Sequence, residues 1–202
     1  MLRIALAFCL LIPATAYAKT EKAILAGGCF WCVESDLESV KGVKSVVSGY
    51  TGGASQNPTY EDHEGHTEAV EVTFDNSVIS YQTLLEKFVR SIDVTDAGGQ
   101  FCDRGNAYKS AIYPLNADQK ATAKTVIAEA EALLGANIVT PVISASTFWV
   151  AEDYHQDYYK GTNFVLTRAG PKKQSNAYKF YRQSCGRDAR VKEVWGANAF
   201  SH

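Results

Sequence analysis

The stretch Lys22-Ala-Ile-Leu-Ala-Gly-Gly-Cys29-Phe-Trp-Cys32-Val-Glu-Ser-Asp-Leu-Glu-Ser-Val40 decides how this chain is read. Lys22 to Ala26 is a short apolar run stopped by Gly27 and Gly28, which predicts a buried strand. Val33, Leu37 and Val40 then fall on one side of a helix. Cys29 is thereby predicted to lie at a strand-to-helix turn. Unpaired backbone N–H groups and the positive end of the helix dipole favour a thiolate there, and the thiolate is the reactive form of cysteine. With Phe30 and Trp31 beside it, this thiol points to sulfur redox chemistry.

Working outward, the residues before the strand read as an export signal. Arg3 precedes a continuous apolar run from Ile4 to Ile12, and Ala16-Tyr-Ala18 is a small-x-small cleavage site. The run is shorter than the roughly 20 residues a membrane span needs. Residues 1–18 are therefore expected to be cleaved near Ala18, giving a periplasmic or secreted protein without stable membrane association. Phe8 before Cys9 argues against lipid attachment. Removing 18 residues from 202 leaves 184, with four cysteines and a net charge of −3. That length suits one catalytic domain over 19–202. Scattered basic residues give no footprint for nucleic acid.

Beyond the first helix, Gly42 to Gly49 reads as a strand, and Glu68 to Phe74 alternates clearly enough to be the best strand in the chain. Ser80 is placed to cap a helix from Tyr81 to Ile92, and Asn116 one that runs to about Leu134 and is closed by Gly135. Ala111 to Tyr113 and Pro141 to Ala145 read as short strands. Helices and strands mix without a regular βαβ rhythm. The expected fold is a two-layer α+β sandwich with a mixed sheet and a long irregular C-terminal segment.

Cys29-Phe-Trp-Cys32 has the spacing of a dithiol oxidoreductase and of half a zinc site. Cys102 and Cys185 are singletons and His63 and His66 sit in an acidic loop, so no zinc ligand set is expected. A thioredoxin-like disulfide oxidoreductase using Cys29 and Cys32 is the rival enzyme. An exported apolar-ligand binding domain is the non-enzymatic alternative.

Six motifs, in order, carry a resemblance: Gly28-Cys-Phe-Trp-Cys-Val-Glu34, Gly49-Tyr-Thr-Gly-Gly53, Asn57-Pro-Thr-Tyr60, Gly65-His-Thr-Glu-Ala-Val-Glu71, Asp103-Arg-Gly-Asn-Ala-Tyr-Lys-Ser110 and Phe148-Trp-Val-Ala-Glu-Asp-Tyr-His-Gln156. The chain resembles the A-type peptide methionine sulfoxide reductases. The resemblance implies reduction of methionine S-sulfoxide, free or in proteins, with Cys29 as nucleophile and no metal or organic cofactor. It implies Glu68 as the acid for the sulfoxide oxygen, assisted by Tyr60 and Tyr108, with Asp103 orienting the network. Phe30 and Trp31 are implied as the wall that receives the S-methyl group, and His155 is assigned a structural role. Such an acid is needed because the S–O bond breaks only if its oxygen is protonated or strongly hydrogen-bonded.

The resulting sulfenic acid must be resolved by another thiol. Cys185, in a tail that resembles the mobile segment bearing the resolving cysteine in many family members, is the first candidate. Cys32, where the commoner family pattern has glycine, and Cys102, beside Asp103, are the alternatives. A thioredoxin-like dithiol protein is the expected reductant, and a monomer is the expected state.

Overall fold

The computed structural model describes residues 19–201, so the expected leader lies outside the described residues. The strands are β1 (Thr20–Gly27), β2 (Val43–Thr51), β3 (Thr67–Asp75), β4 (Gly99–Gln100), β5 (Asp103–Arg104), β6 (Ser110–Tyr113), β7 (Trp149–Val150), β8 (Phe164–Thr167) and β9 (Gly170–Lys173). The helices are α1 (Phe30–Glu38), α2 (Tyr81–Val89), α3 (Ala117–Leu134), α4 (Gln174–Ser184) and α5 (Arg187–Trp195).

Five strands form the main sheet in the order β6-β1-β3-β2-β7. The two-residue alternation of a strand explains why β1 is apolar on both sides. Ala23 and Leu25 join Val70, Val72 and Phe74 of β3 under the helices, with Leu37, Leu84, Phe88 and Val126. Ile24 and Ala26 instead join Ala69, Ala111 and Tyr113 on the other face, where Ala145 and Phe148 cover them. The result is an α+β architecture with helices packed on one face of the sheet.

The caps act as the sequence predicts. Ser80 Oγ accepts the Thr83 N–H at 3.1 Å, Asn116 Oδ1 accepts the Gln119 N–H at 2.9 Å, and Gly135 ends α3 at φ 60°.

The sheet and the C-terminal segment carry detail beyond the expected fold. All strand pairs of the main sheet are antiparallel, and its parallel component is the isolated bridge between Ile112 and Val142. The expected strand from Pro141 to Ala145 is reduced to that bridge. Pro141 has no N–H to add to a ladder, and its carbonyl accepts from Ile112 at 3.0 Å.

The C-terminal segment is irregular only in part, because the β8–β9 hairpin, α4 and α5 follow residue 163. Polar anchors order it. Arg187, 2% exposed, donates to the carbonyls of Gly27 and Ser91 and pairs with the fully buried Asp36 of α1. Arg182 Nη1 binds the same aspartate at 2.7 Å, and Trp195 Nε1 donates to Ile92 O at 2.9 Å.

Candidate active site

Cys29 is the N-cap of α1, and the turn that delivers it depends on Gly28. This residue has φ +82°, and a Cβ there would sit 2.5 Å from Gln100 Cβ. Helix α1 begins at Phe30, three residues earlier than the apolar spacing suggests, so Cys32 lies inside its first turn.

A cleft of about 680 Å³ opens beside this turn. It brings together Cys29, Phe30, Trp31, Tyr60, Glu68, Asp103 and Tyr108, all of the residues implicated by the sequence, together with the other three cysteines of the described chain.

Glu68 enters from β3, paired across the ladder with Tyr50, and is 2% exposed. The Phe30 N–H, one of the unpaired donors of the first turn of α1, donates to its Oε2 at 3.0 Å. Burial raises the Glu68 pKa to about 8, reinforced by the charges of Asp103 and Cys32 and opposed by the Phe30 N–H. The carboxyl is therefore mostly protonated at neutral pH.

Across the cleft Tyr60 is hydrogen-bonded to Tyr108. Burial, and after it the neighbouring Glu68 charge, raises the pKa of both phenols, so both keep their protons. Asp103 is raised by burial, which outweighs the opposing Arg187.

The thiols differ from expectation. The proton shared between Cys29 and Cys32 is the largest influence on both. It raises Cys29, together with burial and the charges of Cys32, Glu68 and Asp103. It lowers Cys32, with further help from Arg187 and Arg182. The helix-start donor is occupied by Glu68, and the guanidinium groups of Arg187 and Arg182 act on the second cysteine, so Cys29 is held up while Cys32 is drawn down. Cys185, the first candidate to resolve Cys29 after turnover, lines the same cleft. Cys185 is bonded to Cys102, with Cα atoms 5.0 Å apart, and Cys29 and Cys32 are free.

The aromatic wall is held by Tyr158 and Glu152, which the sequence left unassigned, and by His155, to which it gave a structural role. Trp31 stacks on Tyr158 with centroids 3.7 Å apart and an interplanar angle of 5°. Its Nε1–H donates to His155 Nδ1 at 3.2 Å. Burial lowers the His155 pKa to about 4, so the ring is neutral, and accepting at Nδ1 puts its proton on Nε2, 3.8 Å from Glu152 Oε2. Glu152 also accepts the Tyr60 N–H at 2.8 Å and the Tyr50 hydroxyl at 3.0 Å, which ties the Tyr60 loop to β2. Only the motif from Phe148 to Gln156 hinted at these roles.

Among the described residues, two groups bring three metal-ligating side chains together. Cys102, Asp103 and Cys185 do so with their sulfurs already joined. Glu34, Glu38 and Asp157 do so with Lys160 bridging two of the three. Neither presents free donors suited to a resident ion.

The arrangement can thus offer a sulfoxide a thiol, a neutral carboxylic acid, two phenols and an apolar wall. Comparison with known proteins agrees. Residues 21–198 match the family model described as peptide methionine sulfoxide reductase. Peptide methionine sulfoxide reductase MsrA 2 of Rhizobium meliloti is 49% identical over 194 residues, covering 95% of this chain and 91% of that protein. MsrA of Bacillus subtilis is 44% identical over 186 residues, or 89% and 98%. The solved methionine sulfoxide reductase A of Corynebacterium diphtheriae superposes with a TM-score of 0.65 at 29% identity, over 70% of this chain and 74% of that one. This chain belongs to the peptide methionine sulfoxide reductase family and reduces methionine sulfoxide by thiol chemistry.

Proposed function

We propose that the enzyme reduces the S epimer of methionine sulfoxide with Cys29 as nucleophile and Glu68 as acid. The observation that carries this assignment is the neutral Glu68 carboxyl, buried beside Cys29 and fixed by the Phe30 N–H. Transfer of the shared proton from Cys29 to Cys32 frees the attacking sulfur. Cys29 attacks the sulfoxide sulfur, and Glu68, with Tyr60 and Tyr108 holding the oxygen, supplies a proton as the S–O bond breaks. The oxygen passes to the Cys29 sulfur as the bond between the two sulfurs breaks, so methionine leaves with that electron pair and Cys29 is left as a sulfenic acid. Phe30 and Trp31 receive the S-methyl group, and Asp103 acts through Tyr60 and Tyr108.

Cys32 then attacks the sulfenic sulfur, forming a Cys29–Cys32 bridge and releasing water. Its proximity and its lowered pKa favour it over Cys185, which this state holds in another bond. A thioredoxin-like dithiol protein closes the cycle, since a disulfide is reduced by thiol exchange. On the reading of residues 1–18 the enzyme works in the periplasm or is secreted, on free or protein-bound substrate. Detection of a mature form beginning at Lys19 tests that placement.

The decisive assay is turnover of the two epimers of a methionine sulfoxide peptide with a chemical dithiol. Selective loss of the S epimer is expected. Equal turnover of both, or insulin reduction without sulfoxide loss, would reverse the assignment.

A further inference from the structure

One imidazole stands between the two sides of the cleft that must hold the substrate. The His155 ring, 1% exposed, lies 4.9 Å from the ring of Phe30, 5.6 Å from Trp31 and 4.7 Å from Tyr60, centroid to centroid. It abuts both residues of the methyl wall and one phenol of the oxygen side. Its polar atoms join the same two sides. Nδ1 accepts the Trp31 indole N–H, while the buried Nε2 has no hydrogen-bond partner among the described residues and faces Glu152 Oε2 at 3.8 Å. Glu152 in turn accepts the Tyr60 N–H at Oε1 and the Tyr50 hydroxyl at Oε2. Burial pushes this carboxyl up, but the Tyr60 N–H, its own N–H, the Tyr50 hydroxyl and His155 together hold it below its usual range, so a negative charge faces the Nε2–H. Indole, imidazole and carboxylate thus form a strut from Trp31 to the Tyr60 backbone.

We propose that His155, oriented by the Glu152 carboxylate, is a positioning residue that fixes the methyl wall against the oxygen-holding phenol and so enforces the choice of sulfoxide epimer. The inference rests on the preceding reading, in which Phe30 and Trp31 receive the S-methyl group and Tyr60 holds the oxygen.

Stereochemistry calls for such a strut. A sulfoxide sulfur carries an oxygen, a methyl, the methylene of the methionine chain and a lone pair. With Cys29 approaching the sulfur and the oxygen held by Glu68, Tyr60 and Tyr108, the epimers differ in which carbon meets the wall. One presents the methyl, the other the methylene with the chain behind it. Exclusion of the methylene therefore depends on the spacing between Trp31, on α1, and Tyr60, on the loop between β2 and β3. Stacking on Tyr158 sets the plane of the indole but leaves it free to slide within that plane, and the bond to His155 stops the slide. The bond needs a neutral ring, because an imidazolium has no lone pair on Nδ1. Burial supplies one, lowering the His155 pKa to about 4. Discrimination by one carbon in an apolar pocket is worth about 10–200-fold. A wall free to slide gives up a factor of that size.

The test measures kcat/KM for the S and R epimers of one methionine sulfoxide peptide, with a chemical dithiol, in the wild type and in His155→Phe, His155→Gln and Glu152→Gln. The ratio of the two values is taken on one preparation of each protein, so the fraction of folded enzyme cancels. His155→Phe keeps a ring but neither accepts from Trp31 nor offers a donor to Glu152. Its preference for the S epimer should fall about tenfold or more, through a higher KM for S and a gain for R. His155→Gln restores an acceptor and a donor and should recover most of the preference. Glu152→Gln keeps an oxygen for the Tyr60 N–H but removes the charge facing Nε2–H, and should also lower it. The Trp31 indole N–H resonance, identified by its loss in Trp31→Phe, should move in His155→Phe and return in His155→Gln.

His155→Phe and Glu152→Gln variants that keep the wild-type preference, whatever their loss of rate, overturn the inference and leave His155 as packing. A preference lost equally in His155→Phe and His155→Gln overturns it as well, because the polar tie would then not set the wall. Equal turnover of both epimers by the wild type refutes the underlying reading, and the inference falls with it.

Discussion

Glu68→Gln isolates the acid. Glutamine keeps the volume and can still accept the Phe30 N–H that binds Oε2 at 3.0 Å, so the turn carrying Cys29 is preserved. The amide has no acidic proton to give. With its pKa at about 8 instead of the usual 4.5, about nine-tenths of Glu68 is protonated at pH 7. An unshifted glutamate would be protonated to about 0.3%, so burial multiplies the supply of acid about 300-fold. Loss of a general acid costs about 10²–10⁴ in rate.

Single-turnover release of methionine from reduced enzyme should therefore fall by that factor at pH 7. The wild-type rate should lose about tenfold per pH unit above pH 8 from the carboxyl alone, and the variant should lack that decline. A variant with the wild-type rate and the same alkaline decline would refute Glu68 as the acid.

The same residue makes a linked prediction about stability. The folded carboxyl holds its proton up to about pH 8, while in the unfolded chain it ionises near 4.5. The folded state thus binds more protons between these values, and the Glu68 contribution to stability falls as pH rises through that window, by about 1.4 kcal/mol per unit. Above pH 8 it levels off. Urea midpoints should show Glu68→Gln gaining on the wild type from pH 5 to 8. Parallel curves for the two proteins would mean that the carboxyl is not buried in solution.

Cys29→Ser should abolish methionine formation in a single turnover, checked by chromatography of the quenched mixture, while Cys32→Ser should still release a first equivalent. Trp31→Phe removes the donor to His155 Nδ1 and shrinks the wall stacked on Tyr158. Loss of about 1–1.5 kcal/mol of positioning corresponds to roughly tenfold in kcat/KM, expected mainly as a higher KM in steady-state assays. Asp36→Ala leaves the 2%-exposed Arg187 without its carboxylate. Breaking a buried pair this way costs about 3–5 kcal/mol, and urea unfolding should show a lower midpoint.

What the sequence discloses and what it hides follow from the kind of interaction involved. The elements of the sheet layer are legible because they are apolar and periodic. Leu25, Val70, Val72 and Phe74 alternate, and Ser80, Asn116 and Gly135 mark helix ends with local chemistry. The tail is hidden because α4 and α5 bury few apolar side chains, such as Ala177, Tyr178, Val191 and Trp195, and are held instead by Arg182 and Arg187 on Asp36. Nothing local to either arginine reveals an aspartate about 150 positions away.

The site divides in the same way. Its residues are legible because ordered motifs name them, yet the charge on its sulfurs is not. That charge depends on which group takes the N–H of Phe30 and where two distant guanidinium groups settle. The structure gives the N–H to Glu68 and the cations to Cys32. One turn thereby holds a neutral acid beside a nucleophile whose pKa is raised and a partner whose pKa is lowered, a division that a helix-dipole argument centred on Cys29 alone does not produce.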